Sequence, residues 1–219
     1  MKKDVDIGNI YEILKKVVKS YKVPVVDLIK IKTQSHFNVL VATILSARTK
    51  DETTIKVCER LFSKVKDAEG LKRLSKKEIE KLIYPVGFYK TKAGYLKELP
   101  TVLKEEFDGK IPSDIDDLLK LPGVGRKTAN LVRVVGFKKP AMAIDVHCQR
   151  IFNRLGYIKT KTPLETEMVL RRKLPKKYWE RINYLFVAFG QNICRPVSPW
   201  CSKCPIINYC NQVGVEKKR

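Results

Sequence analysis

The sequence has 219 residues, of which 44% are hydrophobic, so the chain is long enough to bury a core and disorder is not its default state. Lysine and arginine total 45 against 23 aspartates and glutamates, which gives a formal net charge of +22. A lysine-rich surface of the kind found in thermophiles would explain many charges of both signs but not this imbalance. Because phosphate neutralisation dominates nucleic-acid affinity, we expect a nucleic acid as the partner.

The N-terminal segment predicts an amphipathic helix. Apolar residues recur at helical spacing from Ile10 to Tyr21 and are interrupted by lysines. The pattern fits neither an export signal nor a membrane span, so we expect no membrane partner. Without an export signal, six cysteines argue against a disulfide framework, and Cys58 and Cys148, which stand alone, are predicted to be buried, inert thiols.

Most segments between turn signals have a period of 3.6, as in residues 37–45, which predicts an all-α protein of around ten helices. Residues 141–146 have some strand character but are too isolated to pair. No long linker divides the chain, so any domain crossing must lie in short turns, at residues 23–32 and 138–140. Capping residues predict three helix starts, at Ser75 with Glu78, at Thr162 with Glu165, and at Ser113 for a short helix ending near Leu119.

The sharpest turn of the chain is LPGVG, residues 121–125, between helices predicted at 116–119 and 127–135. Pro122 fixes its own φ, while Gly123 and Gly125 permit positive φ, so the backbone through Val124 can turn tightly and present its amides. Those amides open a helix, and a helix N-terminus is a ready site for a phosphate. An ordinary helix-to-helix turn is the alternative, but a chain of charge +22 favours the phosphate.

Lys127 follows this turn, where a cation in the first turn of a helix is electrostatically misplaced. The positive end of the dipole, together with partial burial, would disfavour the ammonium form, and a lysine amine that is neutral part of the time can act as a nucleophile. A second phosphate contact is the alternative, and spacing alone favours it.

Asp145 is placed to N-cap a helix that runs to Leu155 and is closed by Gly156. A capping carboxylate that also faces a cleft could stabilise a developing cation, so a structural and a catalytic role are compatible. His147 could face such a cleft or lie on the surface of the first helical turn, and we expect the surface.

Four cysteines near the C-terminus follow the pattern C-x6-C-x2-C-x5-C, which predicts a metal centre held by Cys194, Cys201, Cys204 and Cys210. Structural zinc usually pairs two close-spaced knuckles separated by a longer arm. Here the cysteines follow one another around a compact loop. This favours a [4Fe-4S] cluster, which needs one thiolate at each of four corners, although zinc stays open.

Together these motifs resemble the endonuclease III branch of the helix-hairpin-helix DNA glycosylases. LPGVGRKTAN, AIDVHCQRIFNRLG and the cysteine loop match the family's hairpin, its catalytic lysine and aspartate, and its iron-sulfur loop in order and spacing. Upstream, FNVLVATILSARTKDE and VGFYKTKAGYL resemble its base-pocket and DNA-wedge segments. The resemblance spans about residues 30–210.

The resemblance implies a two-domain helical fold with DNA held in the cleft between the domains. A six-helix barrel with the helix-hairpin-helix would span residues 29–139, and residues 1–28 and 140–219 would form a discontinuous iron-sulfur domain. The implied partner is double-stranded DNA that contains a damaged base or an abasic site. We expect a monomer in the cytoplasm of a prokaryotic cell, associated with the nucleoid.

The implied reaction is excision of an oxidised pyrimidine such as thymine glycol, followed by strand nicking. Asp145 would stabilise the sugar's positive charge, and Lys127 would attack C1′ and form a Schiff base. The hairpin amides, at Gly123, Val124 and Gly125, would hold a phosphate.

Three positions depart from the usual pattern of the family. Arg48 replaces a frequent glutamine and is a candidate to fill the hole left by a flipped base. Phe88 replaces a leucine wedge, with a core aromatic as the alternative. Arg195 is the only cation between the first two cluster cysteines.

Two other functions stay open. One is a non-catalytic iron-sulfur DNA-binding module. The other is a monofunctional or mismatch glycosylase, and the lysine at position 127 argues against it.

Overall fold

The computed structural model describes residues 3–21 and 35–219. These residues contain α-helices and no strands, which confirms the all-α prediction. Residues 141–145 have no regular secondary structure and lead into a helix that begins at Val146. The α-helices are α1 Ile7–Val17, α2 His36–Ser46, α3 Asp51–Lys64, α4 Ala68–Arg73, α5 Lys76–Ile83, α6 Tyr89–Phe107, α7 Ile115–Lys120, α8 Arg126–Leu131, α9 Val146–Leu155, α10 Pro163–Lys173 and α11 Trp179–Asn192.

The chain divides into two compact units. The hairpin unit contains α2–α8 and ends at Ala141, and the cysteine unit combines α1 with Met142–Arg219. The functional domains predicted at 29–139 and at 1–28 with 140–219 stay a prediction. The predicted boundary at residues 28–29 and the predicted crossing at 23–32 lie outside the described residues.

Each unit has its own apolar core. In the hairpin unit α2 is buried along almost its whole length, because its apolar residues cover every face of the helix rather than one stripe. In the cysteine unit α1 packs one stripe, including Ile10 and Leu14, against the core that also holds Phe152 and Phe186. The amphipathic N-terminal helix is confirmed. No helix among the described residues is long and apolar enough to cross a membrane.

One predicted capping box is complete. The Ser75 hydroxyl accepts from the Glu78 amide at 3.3 Å, and the Glu78 carboxylate accepts from the Ser75 amide at 2.7 Å. At the start of α10 only half of the predicted box forms. Thr162 caps the Glu165 amide, but the Glu165 carboxylate accepts from the amide of Lys161 instead of that of Thr162.

The prediction that Ser113 caps a helix is wrong by one residue. α7 is capped by Asp114, whose carboxylate accepts from the Asp116 amide at 2.9 Å. The Ser113 hydroxyl instead accepts from Lys139 Nζ at 2.6 Å. Aspartate and serine are both good N-caps, and the local sequence does not decide between neighbours.

Candidate active site

The turn between α7 and α8 is the predicted hairpin, and only one of its glycines uses its conformational freedom. Gly123 has φ +76°, and a Cβ there would stand 2.5 Å from the Tyr95 ring. Gly125 has φ −93°, so the positive φ that the sequence permits at this position is not used. A Cβ at Gly125 would meet no atom within 4 Å, so this side of the turn is open to an approaching ligand.

Val124 stabilises the turn from its buried side. Its side chain is buried, and its amide donates to the Leu121 carbonyl oxygen at 3.1 Å. That amide is therefore used by a hydrogen bond within the turn itself. The second helix of the hairpin begins at Arg126, as predicted, but the α-helical part ends at Leu131 and continues as a π-helical turn over Val132–Gly136.

Lys127 lies in the first turn of α8 with its side chain exposed. The partial burial expected for it is wrong, since the short turn leaves this face of the helix uncovered. Asp51, at the start of α3, lies close enough for its carboxyl group to be affected by the charge of Lys127. Burial raises the pKa of Asp51, and the Lys127 ammonium partly offsets this by lowering it. Asp51 therefore belongs to the surroundings of Lys127, a relation that a separation of 76 positions concealed in the sequence.

Asp145 is the N-cap of α9, as predicted. Its Oδ1 accepts from the amides of His147 at 2.9 Å and Cys148 at 3.0 Å, and the side chain is buried. Gly156 closes the helix with φ +78°. Two backbone donors to one carboxylate oxygen fix the orientation of the carboxylate plane.

His147 is half-buried rather than lying on the surface, because Arg150 covers it. The Arg150 Nη2 lies 3.0 Å from His147 Nδ1, and the same guanidinium donates to the carbonyl oxygen of Cys194 at 2.8 Å. A Cβ at Gly190 would stand 2.6 Å from His147 Nδ1, so only glycine leaves room for this pair. Sequence reasoning missed both Arg150 and Gly190, and no local pattern marks them.

The four C-terminal cysteines line one small cavity with Leu155, Trp200 and Ile206. All four are half-buried free thiols, whereas Cys58 and Cys148 are buried as predicted. Burial raises the pKa of Cys204 to about 12, and burial also raises the pKa of Cys201 and of Cys210. Each of these three pKa values is raised further by neighbouring cysteines, which shows how closely the thiols are grouped.

Arginine also contacts the cysteine loop. Arg154 Nη1 donates to Cys194 Sγ at 3.4 Å and to the Arg195 carbonyl oxygen at 2.7 Å, and its Nη2 donates to the Pro196 carbonyl oxygen at 2.7 Å. The Arg195 side chain is exposed, with Nε 3.3 Å from the Gln191 carbonyl oxygen. Among the described residues, no three His, Cys, Asp or Glu side chains are arranged to hold a single metal ion.

Arg48 and Phe88 come together in the hairpin unit although 40 positions separate them. The Arg48 guanidinium carbon lies 5.6 Å from the centre of the Phe88 ring. Phe88 is 61% exposed, so the alternative of a core aromatic is wrong. Both residues have left-handed backbones, with φ 53° and 59°, which is uncommon for side chains of this size.

Comparison with known proteins agrees with the family that the sequence motifs resemble. Residues 41–176 match the HhH-GPD superfamily base excision DNA repair protein model. Endonuclease III of Thermotoga maritima is 45% identical over 82% of this chain and 84% of its own length. Endonuclease III of Bacillus subtilis is 38% identical over 80% of this chain and 81% of its own length.

A solved structure of a non-covalent endonuclease III–DNA complex matches with a TM-score of 0.82 at 33% identity, covering 93% of this chain and 94% of that one. A trapped endonuclease III–DNA covalent intermediate matches with a TM-score of 0.78, also at 33% identity, over 93% and 95% of the two chains. This chain therefore belongs to the endonuclease III family of helix-hairpin-helix base excision DNA repair glycosylases.

Proposed function

We propose that this DNA glycosylase and AP lyase excises oxidised pyrimidines from double-stranded DNA, with Lys127 as its nucleophile. The observation that carries the proposal is the placement of the Lys127 amine. It is exposed in the first turn of α8, directly after a glycine turn whose outer side is open. A backbone phosphate held at that turn would bring the adjoining sugar within reach of the amine.

The chemistry requires the damaged nucleotide to leave the base stack, at a cost that damage lowers. The neutral Lys127 amine then attacks C1′, the glycosidic bond breaks, and the base departs with a proton. The C1′–O4′ bond of the sugar ring then opens, the second proton moves from nitrogen to O4′, and an imine forms between Nζ and C1′. Removal of a C2′ proton expels the 3′ phosphate by β-elimination, and water hydrolyses the imine to free the enzyme.

Asp145 is proposed to stabilise the positive charge that develops on the sugar. Its two backbone hydrogen bonds fix the carboxylate, so no reorganisation is needed as charge develops. The proposal gives Asp51 a separate task. Its carboxylate lies within the electrostatic influence of Lys127 and is proposed to favour the ammonium form before reaction.

A [4Fe-4S] cluster fits the cysteine loop. Four half-buried thiols line one cavity, and burial raises the pKa values of Cys201, Cys204 and Cys210, which disfavours their free thiolate forms until a metal centre compensates. Bound by Cys194, Cys201, Cys204 and Cys210, the cluster would hold this loop in shape.

The remaining DNA contacts follow from exposure and charge. Gly123 and Gly125 are proposed to present the hairpin to a phosphate, with Val124 shaping the turn, and Arg195 to add one cation from the cysteine loop. Arg48 and Phe88 are proposed to enter the base stack. We infer a monomer acting on chromosomal DNA in a prokaryotic cytoplasm, as the bacterial relatives suggest; light scattering of the lesion complex tests the stoichiometry.

Borohydride trapping tests the nucleophile. Wild-type protein and Lys127→Ala are each incubated with a duplex that contains one thymine glycol, and a covalent protein–DNA band is expected only from wild type. Lys120→Ala is the matched control, because Lys120 is an exposed lysine of the same hairpin, paired with Asp117 at 2.9 Å. It should still form the band.

The failures of this experiment are distinguishable. A band from Lys127→Ala at wild-type yield would overturn the assignment of Lys127. Base release by wild type without trapping or nicking would favour the monofunctional glycosylase. Tight DNA binding by wild type with no base release would favour the non-catalytic binding module.

A further inference from the structure

Two loops of the hairpin unit meet at a single point. One follows α2 and contains Arg48 and Thr49, and the other precedes α6 and contains Gly87 and Phe88. A Cβ at Gly87 would stand only 2.4 Å from the Arg48 carbonyl oxygen, and the Gly87 amide donates to the Thr49 hydroxyl at 3.1 Å. The backbones of the two loops are therefore in direct contact.

Lys92, on α6, reaches beneath this contact. Its Nζ donates to the carbonyl oxygens of Leu45 at 2.7 Å and Ala47 at 2.6 Å, and to the Thr49 hydroxyl at 3.2 Å. An ammonium has three N–H groups, so each has its own acceptor. The side chain is 6% exposed, and lysines are almost never buried to this extent without such partners.

A purely structural role would explain only part of this arrangement. Lysines often bind the last carbonyls of a helix, and Leu45 lies in the last turn of α2. Ala47 and Thr49, however, lie beyond the helix and flank Arg48 on either side. The ammonium therefore fixes the loop at the two neighbours of the residue whose backbone is strained, and strained backbone persists only where its surroundings determine it.

We propose that Lys92 is a positioning residue that locks Arg48 and Phe88 into one paired, rigid wedge for nucleotide extrusion. The proposal rests on the proposed function, since it assigns a task within extrusion. Lys92 touches neither DNA nor the reacting atoms in this assignment. It acts through the Arg48 loop, and the contact between Gly87 and Arg48 passes the constraint to Phe88.

The pairing also explains why both exposed side chains are held on strained backbones. A cation stacked on an exposed aromatic ring covers part of the ring and gives both side chains a fixed direction. A pre-formed wedge enters the base stack without first losing side-chain entropy, so its binding energy can be applied to separating the lesion from its neighbours.

The test compares Lys92→Met, which keeps the aliphatic stem and removes the ammonium, with Lys97→Met. Lys97 is the matched control because it lies on the same helix and its Nζ also donates to two backbone carbonyls, those of Lys72 and Leu74 at the end of α4, away from the wedge. Single-turnover release of thymine glycol from a duplex is expected to fall by up to about 100-fold in Lys92→Met, the scale of a mispositioned group. Lys97→Met should stay within about twofold of wild type.

A double-mutant cycle separates positioning from general loss of structure. If Lys92 acts through Arg48, Lys92→Met should have little further effect in an Arg48→Ala background. In an otherwise wild-type protein, the loss of excision rate caused by Lys92→Met should also be smaller when the lesion lies opposite an abasic analogue, because there is then no orphan base to displace. Additive losses, or equal losses opposite a base and opposite the abasic analogue, would overturn the proposal.

Thr49→Val provides a second variant should Lys92→Met fail to fold. It removes the hydroxyl that both Lys92 and the Gly87 amide use, and leaves the two carbonyl contacts intact. The same selective loss on the base-paired lesion is expected, and wild-type rates in a folded Thr49→Val would contradict the proposal. Absence of excision by wild type itself would instead refute the proposed function, so the two failures are separate.

Discussion

Lys127 and Lys92 lie in the same unit and show opposite ways of using a lysine. Lys127 stands exposed at the hairpin turn, although partial burial was expected for it. Lys92, in a stretch read from the sequence only as a wedge segment, is buried among three acceptors. The hairpin needs a reachable amine, whereas the loop pair needs a fixed cation. The contrast shows that a lysine's neighbours in sequence do not reveal its burial.

The largest effect should come from Lys127→Arg, which preserves the charge of the hairpin and removes the nucleophile. A guanidinium cannot lose its proton in a protein, so strand cleavage should fall by more than about 1000-fold, while DNA affinity stays near that of wild type. Single-turnover nicking of an abasic duplex measures strand cleavage, and fluorescence anisotropy measures DNA affinity. Lys120→Arg is the control, and appreciable nicking by Lys127→Arg would show that charge alone matters there.

Gly87→Ala should break the loop pair from its other side. Its Cβ would meet the Arg48 carbonyl oxygen, which is backbone and cannot move away as a flexible side chain would. We expect a loss of about 1–3 kcal/mol in the free energy of unfolding together with slower excision. Urea denaturation measures the free energy of unfolding. Gly94→Ala, on the adjoining helix where only the end of the Lys76 side chain lies within 4 Å, should be tolerated. Equal stability of the two variants would contradict the close packing of the loops.

Substitutions of the two hairpin glycines should affect different properties: Gly123→Ala should lower stability, and Gly125→Ala should lower DNA affinity. Gly123→Ala introduces a Cβ at positive φ beside Tyr95, and should cost about 1 kcal/mol or more of stability. Gly125→Ala adds a methyl group in open space at ordinary φ, so it should leave stability within about 0.5 kcal/mol. The methyl group would stand where a phosphate approaches and should weaken affinity for a lesion duplex. If Gly125→Ala binds normally, the open side of the turn is not the phosphate site.

The last prediction is a pH dependence of stability that comes from Lys92. Burial lowers the pKa of this lysine from 10.5 to about 8, so the folded state binds fewer protons than the unfolded state between those two values. The free energy of unfolding of wild type relative to Lys92→Met should therefore rise as pH increases from about 8 towards 10.5. Paired urea titrations across this range measure the difference. A difference that stays constant with pH would show that Lys92 keeps an ordinary pKa when folded.

The fold was predictable where the signals are local. Ser75 and Glu78 form the complete capping box, and Asp145 caps α9 as expected, because caps depend on residues within one helical turn. Where two good caps are adjacent, as at Ser113 and Asp114, the sequence predicted the wrong one. The roles of Gly123 and Gly125 were also not distinguishable, since both can take positive φ and only the packing of Tyr95 beside the turn shows which one does.

By itself the sequence determined the helical class of the protein, its hairpin, its family and its candidate catalytic and cluster residues, because periodicity, capping and motif spacing are local properties. Only the tertiary structure placed Asp51 beside Lys127, stacked Arg48 on Phe88, and buried Lys92 beneath the loop that carries Arg48. Each of these relations joins residues at least 40 positions apart. Burial and charge depend on which segments pack together, and no local pattern in the sequence contains that information.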